Sequence, residues 1–253
     1  MKHTSTIHRR AVLAFLIILT VGISGCAWWK DFWSRKQMAK GTPEALYQAG
    51  VTAYQEGRYK RAVEYFTRLK EENPLHPMAL QAEIGIGDAH FSDEAYAEAE
   101  LAYTDFINLH PTNENNPYVH YQLGMCHYKQ TTTIDRDQAA TVKAAREFER
   151  LIARYPNSKF AFMAEQKLRE CRQKLAEREF YVGEFYFKQG KYTAALKRFQ
   201  TLAKNYPNLG LDYKVKIYLA ETQKRIDKEK AQKEKEDKKA AAAKPPVKTE
   251  AAR

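Results

Sequence analysis

From Leu175 to Pro207 the chain reads LAEREFYVGEFYFKQGKYTAALKRFQTLAKNYP, two runs in which apolar or small residues recur every three to four positions, parted by Gly190 and closed by a proline. That spacing predicts two amphipathic helices joined by a tight turn. Gly190, Tyr192, Ala195, Phe199 and Pro207 lie 7, 9, 12, 16 and 24 residues beyond Gly183. Gly57, Tyr59, Ala62, Phe66 and Pro74 lie at the same distances beyond Gly50. Two copies in one register predict a unit that is repeated along the chain and buries its apolar face against its neighbours.

Landmarks at this period match the tetratricopeptide pattern of paired helices. Small Gly183 predicts close approach of the first helix to its partner, and Gly190 a turn residue in the left-handed region. Ala195 and Phe199, four apart, share one face of the second helix, where the small side chain leaves room for an aromatic. Pro207 ends the helix because it has no amide hydrogen. Gly87, Tyr96, Ala99, Tyr103 and Pro111 repeat the pattern, with Glu94 where the turn glycine should stand, which predicts a distorted turn. A third copy keeps Tyr121, Leu123, Gly124, Ala144, Phe148 and Pro156, with eight extra residues between its helices. These fall in Gln130 to Gln138, QTTTIDRDQ, whose β-branched and charged residues predict an exposed loop, read equally as a partner contact or as neutral length variation.

After Asn157-Ser158, a good helix cap, neither proline nor glycine occurs before Gly183, so Ser158 to Gln189 predicts one helix of about 48 Å, a break near Leu175 being the other reading. Leu211, Val215, Tyr218 and Leu219 predict a final helix, to about Ile226, that covers the open end of the array. From Asp227 the chain is rich in lysine and without aromatics; a solvated helix to about Lys239 is expected, ended by Pro245-Pro246. The fold class is therefore all-α, a tetratricopeptide superhelical solenoid with a long helix connecting repeats three and four. Its parts are a leader 1–25, a tether 26–42, an N-terminal half 43–156, a C-terminal half 157–226 and a charged tail 227–253.

The leader carries Lys2, Arg9 and Arg10 ahead of an apolar run, Ala11 to Ile23, too short to span a bilayer comfortably. Ile23-Ser24-Gly25-Cys26 resembles a bacterial lipobox, which implies cleavage before Cys26 and a diacylglycerol and acyl chain on that residue. Ala27 after the cysteine points to the outer membrane under the enterobacterial sorting rule. Trp28, Trp29, Phe32 and Trp33, interleaved with Lys30, Arg35 and Lys36, suit the inner leaflet or a plain linker alike. Thr42 and Pro43 predict the cap and first position of the first helix. The net charge of +11 falls to +8 once the leader's cations are removed, favouring acidic partners or anionic membrane. The tail lacks the aromatic interleaving of a single-strand platform, so no nucleic-acid partner is expected.

No phosphate loop, nucleophile elbow or zinc-helix motif occurs, and no enzyme activity is expected. No cofactor and no metal site is expected either, His76, His90, His110, His120 and His127 having no ligand spacing. Cys126 and Cys171 are read as buried thiols, with a disulfide as the alternative. Binding is what such an array does. Core positions around Leu46, Ala49, Gly50 and Ala53 place Tyr47, Val51 and Tyr54 on the concave side of repeat one. The corresponding residues are Ile84, Asp88 and Phe91 in repeat two and Tyr118, Tyr121, Met125 and Tyr128 in repeat three. They predict an aromatic groove for extended peptides, although each ring singly reads as well as packing between repeats. Lys197 and Arg198 read as an exposed basic pair, for docking or as a solvated face.

The lipobox, Arg136-Asp137-Gln138, Tyr155-Pro156-Asn157-Ser158-Lys159, and Leu175-Ala176 followed by Glu179 and Val182 to Tyr186 together resemble the BamD family, lipoproteins of the β-barrel assembly machinery of Gram-negative outer membranes. The likeness covers Cys26 to about Ile226. It implies a non-enzymatic periplasmic scaffold whose N-terminal repeats receive unfolded outer-membrane proteins. It also implies that the C-terminal half docks on a POTRA domain of a BamA-like barrel-forming subunit, with Arg198 at that contact. Other assembly lipoproteins are implied partners, but the lysine-rich tail replaces the second helix of a fifth repeat where such contacts would fall. An escort lipoprotein for a secretin is the alternative, and a cell-wall coordinator a third.

Overall fold

The computed structural model describes residues 41–242. Among them lie nine helices: α1 (Pro43–Gln55), α2 (Tyr59–Glu72), α3 (Pro77–Ser92), α4 (Tyr96–Leu109), α5 (Asn116–Lys129), α6 (Ala139–Arg154), α7 (Lys159–Lys188), α8 (Tyr192–Asn205) and α9 (Asp212–Ala242). The expectations for the leader, for Cys26, for the aromatic stretch of the tether and for Pro245-Pro246 lie outside the described residues. The described residues form two compact units, divided between Ala82 and Glu83 within α3.

In the first unit Thr42 caps α1, its hydroxyl accepting from the Ala45 amide at 3.3 Å, with Pro43 at the first position. The cap satisfies one of the amides that a helix start leaves without a partner. Leu46, Gly50 and Ala53 are buried on α1, and Ala62, Phe66 and Leu69 on α2. What brings the pair together is the missing side chain of Gly50, because a Cβ there would stand 2.5 Å from the Phe66 ring. The same device recurs in the second unit. Cβ atoms at Gly87, Gly124 and Gly183 would meet Tyr103 at 2.4 Å, Phe148 at 2.5 Å and Phe199 at 2.7 Å. Those three rings have no solvent exposure, so they have little space into which to retreat.

The turns repeat as closely. Gly57 and Gly190 have φ of 71° and 72°, and Glu94 takes the same conformation at 61°. Each turn amide donates back three residues, Gly57 to Tyr54, Glu94 to Phe91 and Gly190 to Phe187, and the following amide donates back five. The sequence predicted a distorted turn at Glu94; instead the backbone is preserved and a side chain is carried in the left-handed region.

The insertion between α5 and α6 is exposed over most of its length and closed on itself. Gln138 Nε2 donates to the carbonyls of Thr133 and Arg136, and Thr132 Oγ1 donates to that of Asp137. It is also tied to α7, where Lys174 donates to Thr131 Oγ1 and Arg178 to the Ile134 carbonyl, both at 2.9 Å.

One unbroken helix of 30 residues, α7, serves two cores. Ser158 caps it by accepting from the Ala161 amide at 3.0 Å. Ala164 and Cys171 of its first half pack with Ala144, Phe148 and Leu151 of α6. Ala176, Phe180 and Phe187 of its second half pack with Ala195, Phe199 and Leu202 of α8 and Val215 of α9. The final helix uses Leu211, Val215, Tyr218 and Leu219 against this core, then runs on past Ile226 with every described side chain exposed.

Gly124→Ala is expected to destabilise the protein. The overlap with a ring that cannot move costs about 1–3 kcal/mol, more than the gain of about 1 kcal/mol in helix propensity. Chemical denaturation of the purified chain measures it, and an unchanged midpoint would mean that the close approach is not needed. Glu94→Gly is expected to do the reverse, stabilising by about 1 kcal/mol because the left-handed strain is relieved. The same denaturation series reads its sign.

Candidate functional site

All ten concave-face residues are half-buried, but most are engaged in the repeats. The Tyr54 ring meets Tyr59 edge-on at 5.5 Å, Phe91 meets Tyr96 at 5.4 Å and Phe187 meets Tyr192 at 5.5 Å. Phe187 belongs to the fourth repeat, outside the expected groove, so this ring pair is a clasp across the turn common to three repeats. Its signal was in the sequence: an aromatic three residues before the turn residue and another two after it. In the first unit Tyr47 packs on Phe66, with ring centroids 5.8 Å apart.

Asp88 is placed by chemistry that its neighbours require. The second repeat has Tyr103 where the others have phenylalanine, and the buried hydroxyl needs an acceptor. Asp88 accepts from it at 2.6 Å and from Tyr118 at 2.7 Å. Burial raises the pKa of this carboxyl, and the hydrogen bonds from Tyr103, Tyr118 and Gln122 offset only part of that. Tyr121, Met125 and Tyr128 pack against the core shared by α6 and α7. Tyr128 donates to Glu170, and Lys167 sits 4.6 Å over its ring while bonding the same carboxylate.

The basic pair on α8 divides. Lys197 is exposed, whereas Arg198 Nη1 lies 3.1 and 3.3 Å from the two carboxylate oxygens of Glu179 on α7, with 43% of its side chain exposed. Nineteen residues separate the partners, so no local spacing announces them. A neighbouring pair joins Arg172 to Glu149 at 3.6 Å. Burial raises the pKa of the Tyr206 hydroxyl, which also responds to Glu179, Arg172 and Glu149 and so lies among both pairs.

Between α4, α5 and α6 two histidines are buried. His120 Nδ1 is 3.9 Å from Glu147, and His127 Nδ1 is 3.5 Å from Glu100. Burial lowers the His127 pKa, outweighing the attraction of Glu100. Burial alone would raise the Glu147 pKa, but nearby His120 and the charges of Arg150 and His127 together bring it below the usual carboxylate value. Cys126 and Cys171 are free and buried. Their pKa values are pushed up to about 12 and about 11, by burial first and then by Glu100 and Glu170 respectively, so neither is a thiolate at neutral pH. Among the described residues no cluster of histidine, cysteine and carboxylate is placed to hold a metal, and no helix is long and apolar enough to cross a membrane.

Helix pairs in which a ring of the second helix fills the place of a glycine on the first define a helical-repeat protein of the tetratricopeptide class. Residues 39–239 match the family model of the outer membrane lipoprotein YfiO, and the chain belongs to that family. It is similar to the outer membrane protein assembly factor BamD of Rickettsia prowazekii, with 31% identity over 77% of this chain and 76% of that protein. With BamD of Caulobacter vibrioides it shares 30% identity over 77% of its length, spanning 63% of that relative. Among solved structures the TPR2AB-domain:pHSP90 complex of yeast Sti1 matches with a TM-score of 0.43 and 14% identity, over 73% of this chain and 70% of that one.

The buried histidine gives the fold an acid limit. Above the unfolded value of about 6.5 the ring is neutral in both states, and below it the unfolded chain takes up a proton that folded His127 resists. Stability is therefore expected to fall as pH drops from about 6.5 through the lowered folded value. Glu147 adds its loss only below about 4.5. His127→Gln should flatten the melting temperature between pH 7 and 5; an unchanged slope would assign the acid sensitivity elsewhere.

Proposed function

We propose that this chain is a non-catalytic lipoprotein scaffold of outer-membrane β-barrel assembly, held by lipid on Cys26 at the periplasmic face of the outer membrane. In this reading it receives unfolded outer-membrane proteins and docks through its C-terminal half on a POTRA domain of a BamA-like barrel-forming subunit. The observation that carries it is the family match over residues 39–239, the curated relatives being named outer membrane protein assembly factors.

Arg198 supports the docking half of the reading by its geometry. Glu179 takes Nη1, which leaves the other guanidinium donors for a carboxylate of a partner, for which arginine's planar fork is suited. Client contact falls to positions less committed to the repeats. Aliphatic Val51 in the first unit and Ile84 in the second stand half-exposed, whereas the turn clasps and the Asp88 hydrogen bonds use the neighbouring polar and aromatic groups.

The test is affinity purification of the C-terminally tagged mature chain from detergent-solubilised membranes, read by mass spectrometry. Recovery of a POTRA-bearing barrel protein in near-stoichiometric amount is expected. Arg198→Gln should weaken that retention at least about tenfold, since it removes the charge that would meet the partner's carboxylate, while its amide can still donate to Glu179 and the melting temperature stays near that of the parent. A secretin in place of the barrel protein would overturn the reading.

A further inference from the structure

The two-core helix α7 leaves a notch along its first half, facing the α8–α9 connection. There the α8–α9 connection approaches α7 and borders an open notch of about 410 Å³, lined by Glu165, Leu168, Arg169, Arg172, Asn208 and Leu209. Leu168 and Leu209, both half-buried, supply apolar walls, and Arg169 is exposed at the rim. Among the described residues Arg169 has no ion pair, and Arg172 shares only Glu149 at 3.6 Å. Glu165 is the one acid lining the notch, against two guanidinium groups. Three residues before Glu165 on α7, Phe162 stands 78% exposed.

The notch is continuous with the Arg198 surface. From it, Arg172 with Glu149 and then Glu179 with Arg198 follow one another along α7, and Tyr206, directly before the α8–α9 connection, responds to the charges of both pairs. The surplus of arginine selects for carboxylate, and the leucine walls select for an aliphatic or aromatic side chain beside it. A basic segment would place like charges against Arg169 and Arg172, an arrangement that costs affinity.

We propose that this notch is a second anchor of the docking surface and takes an apolar side chain flanked by Asp or Glu from the same partner protein that reaches Arg198. The inference rests on the docking reading given above. It adds a place and a chemistry to it: one carboxylate at Arg198, and an acidic, apolar segment seated between Leu168 and Leu209 with its charge on Arg169.

Photocrosslinking in cells separates the two claims. p-Benzoylphenylalanine is placed at Lys197 in one version of the full chain and at Glu165 in another, and the crosslinked peptides are sequenced by mass spectrometry. The expected result is one partner captured at both positions, with the Glu165 product mapping to a stretch that carries Asp or Glu beside an aliphatic or aromatic residue. Arg169→Glu should reduce capture at Lys197 several-fold, and Arg169→Lys should restore most of it, with circular-dichroism melts confirming that both variants fold. Capture at Lys197 but none at Glu165, or a basic segment at Glu165, would overturn the notch while leaving the docking surface standing. No capture at Lys197 would overturn the docking reading, and the second anchor with it.

Discussion

A ring on the second helix of each pair occupies the space of a side chain missing from the first. Gly50 with Phe66, Gly87 with Tyr103, Gly124 with Phe148 and Gly183 with Phe199 are four instances of this contact. Because a Cβ at any of these glycines would enter the ring at 2.4 to 2.7 Å, the two backbones can lie close only with glycine and an aromatic in these places. The buried alanines four residues before the rings, Ala62, Ala99, Ala144 and Ala195, keep the same face of the second helix slim. The rest of each repeat is arranged to hold this approach. The turn with its left-handed residue fixes the angle at which the second helix returns, and the ring pair across the turn fastens its start. The third repeat tolerates eight more residues between its helices because the contact depends on where the helices lie and not on the length of chain that joins them.

The contact also explains the polar centre of the second repeat. Substituting tyrosine for phenylalanine at position 103 keeps the ring that fills the gap but buries a hydroxyl, which must find an acceptor or cost stability. Asp88, next to the glycine that admits the ring, supplies it, and accepts from Tyr118 as well. A carboxylate that looked like a feature of the binding groove is thus tied to the packing beneath it. The same holds for Tyr54 and Phe91. Their partners two residues beyond the turn, and the copy of the clasp at Phe187 and Tyr192, mark them as parts of the scaffold.

Much of this was legible from spacing, because helical pairs with glycine, alanine and aromatic landmarks obey a strict period. The start of α1 at Pro43, the cap at Ser158 and the continuous helix from Lys159 to Lys188 follow from residue types whose local physics admits few alternatives. Glu94 misled because a missing glycine was taken for a changed turn, whereas the surrounding pair holds the backbone and leaves the side chain to bear the strain. The expected groove was legible only in part, for another reason. Sequence shows that a ring lies on that side but not whether a neighbouring ring already covers it. The pairing of Arg198 with Glu179 and the notch beside Leu209 were not legible at all, since each depends on which turns of two distant helices come level.

What sets those levels is α7. A helix that closes one core with its first half and opens another with its second must leave part of each half uncovered, because neither core reaches the full length of 30 residues. On one side the ordered loop after α5 is bonded to Lys174 and Arg178, and Tyr181 and Phe185 follow it along the helix with 44% and 53% exposure. On another, Arg169 stands exposed at the notch under the α8–α9 connection, and Phe162 is exposed about two turns before it on α7. An ordinary tetratricopeptide array has no counterpart to these surfaces, since each first helix there is covered by the repeat before it. The departure from the repeat, more than the repeat itself, gives the C-terminal half surfaces that a plain array lacks.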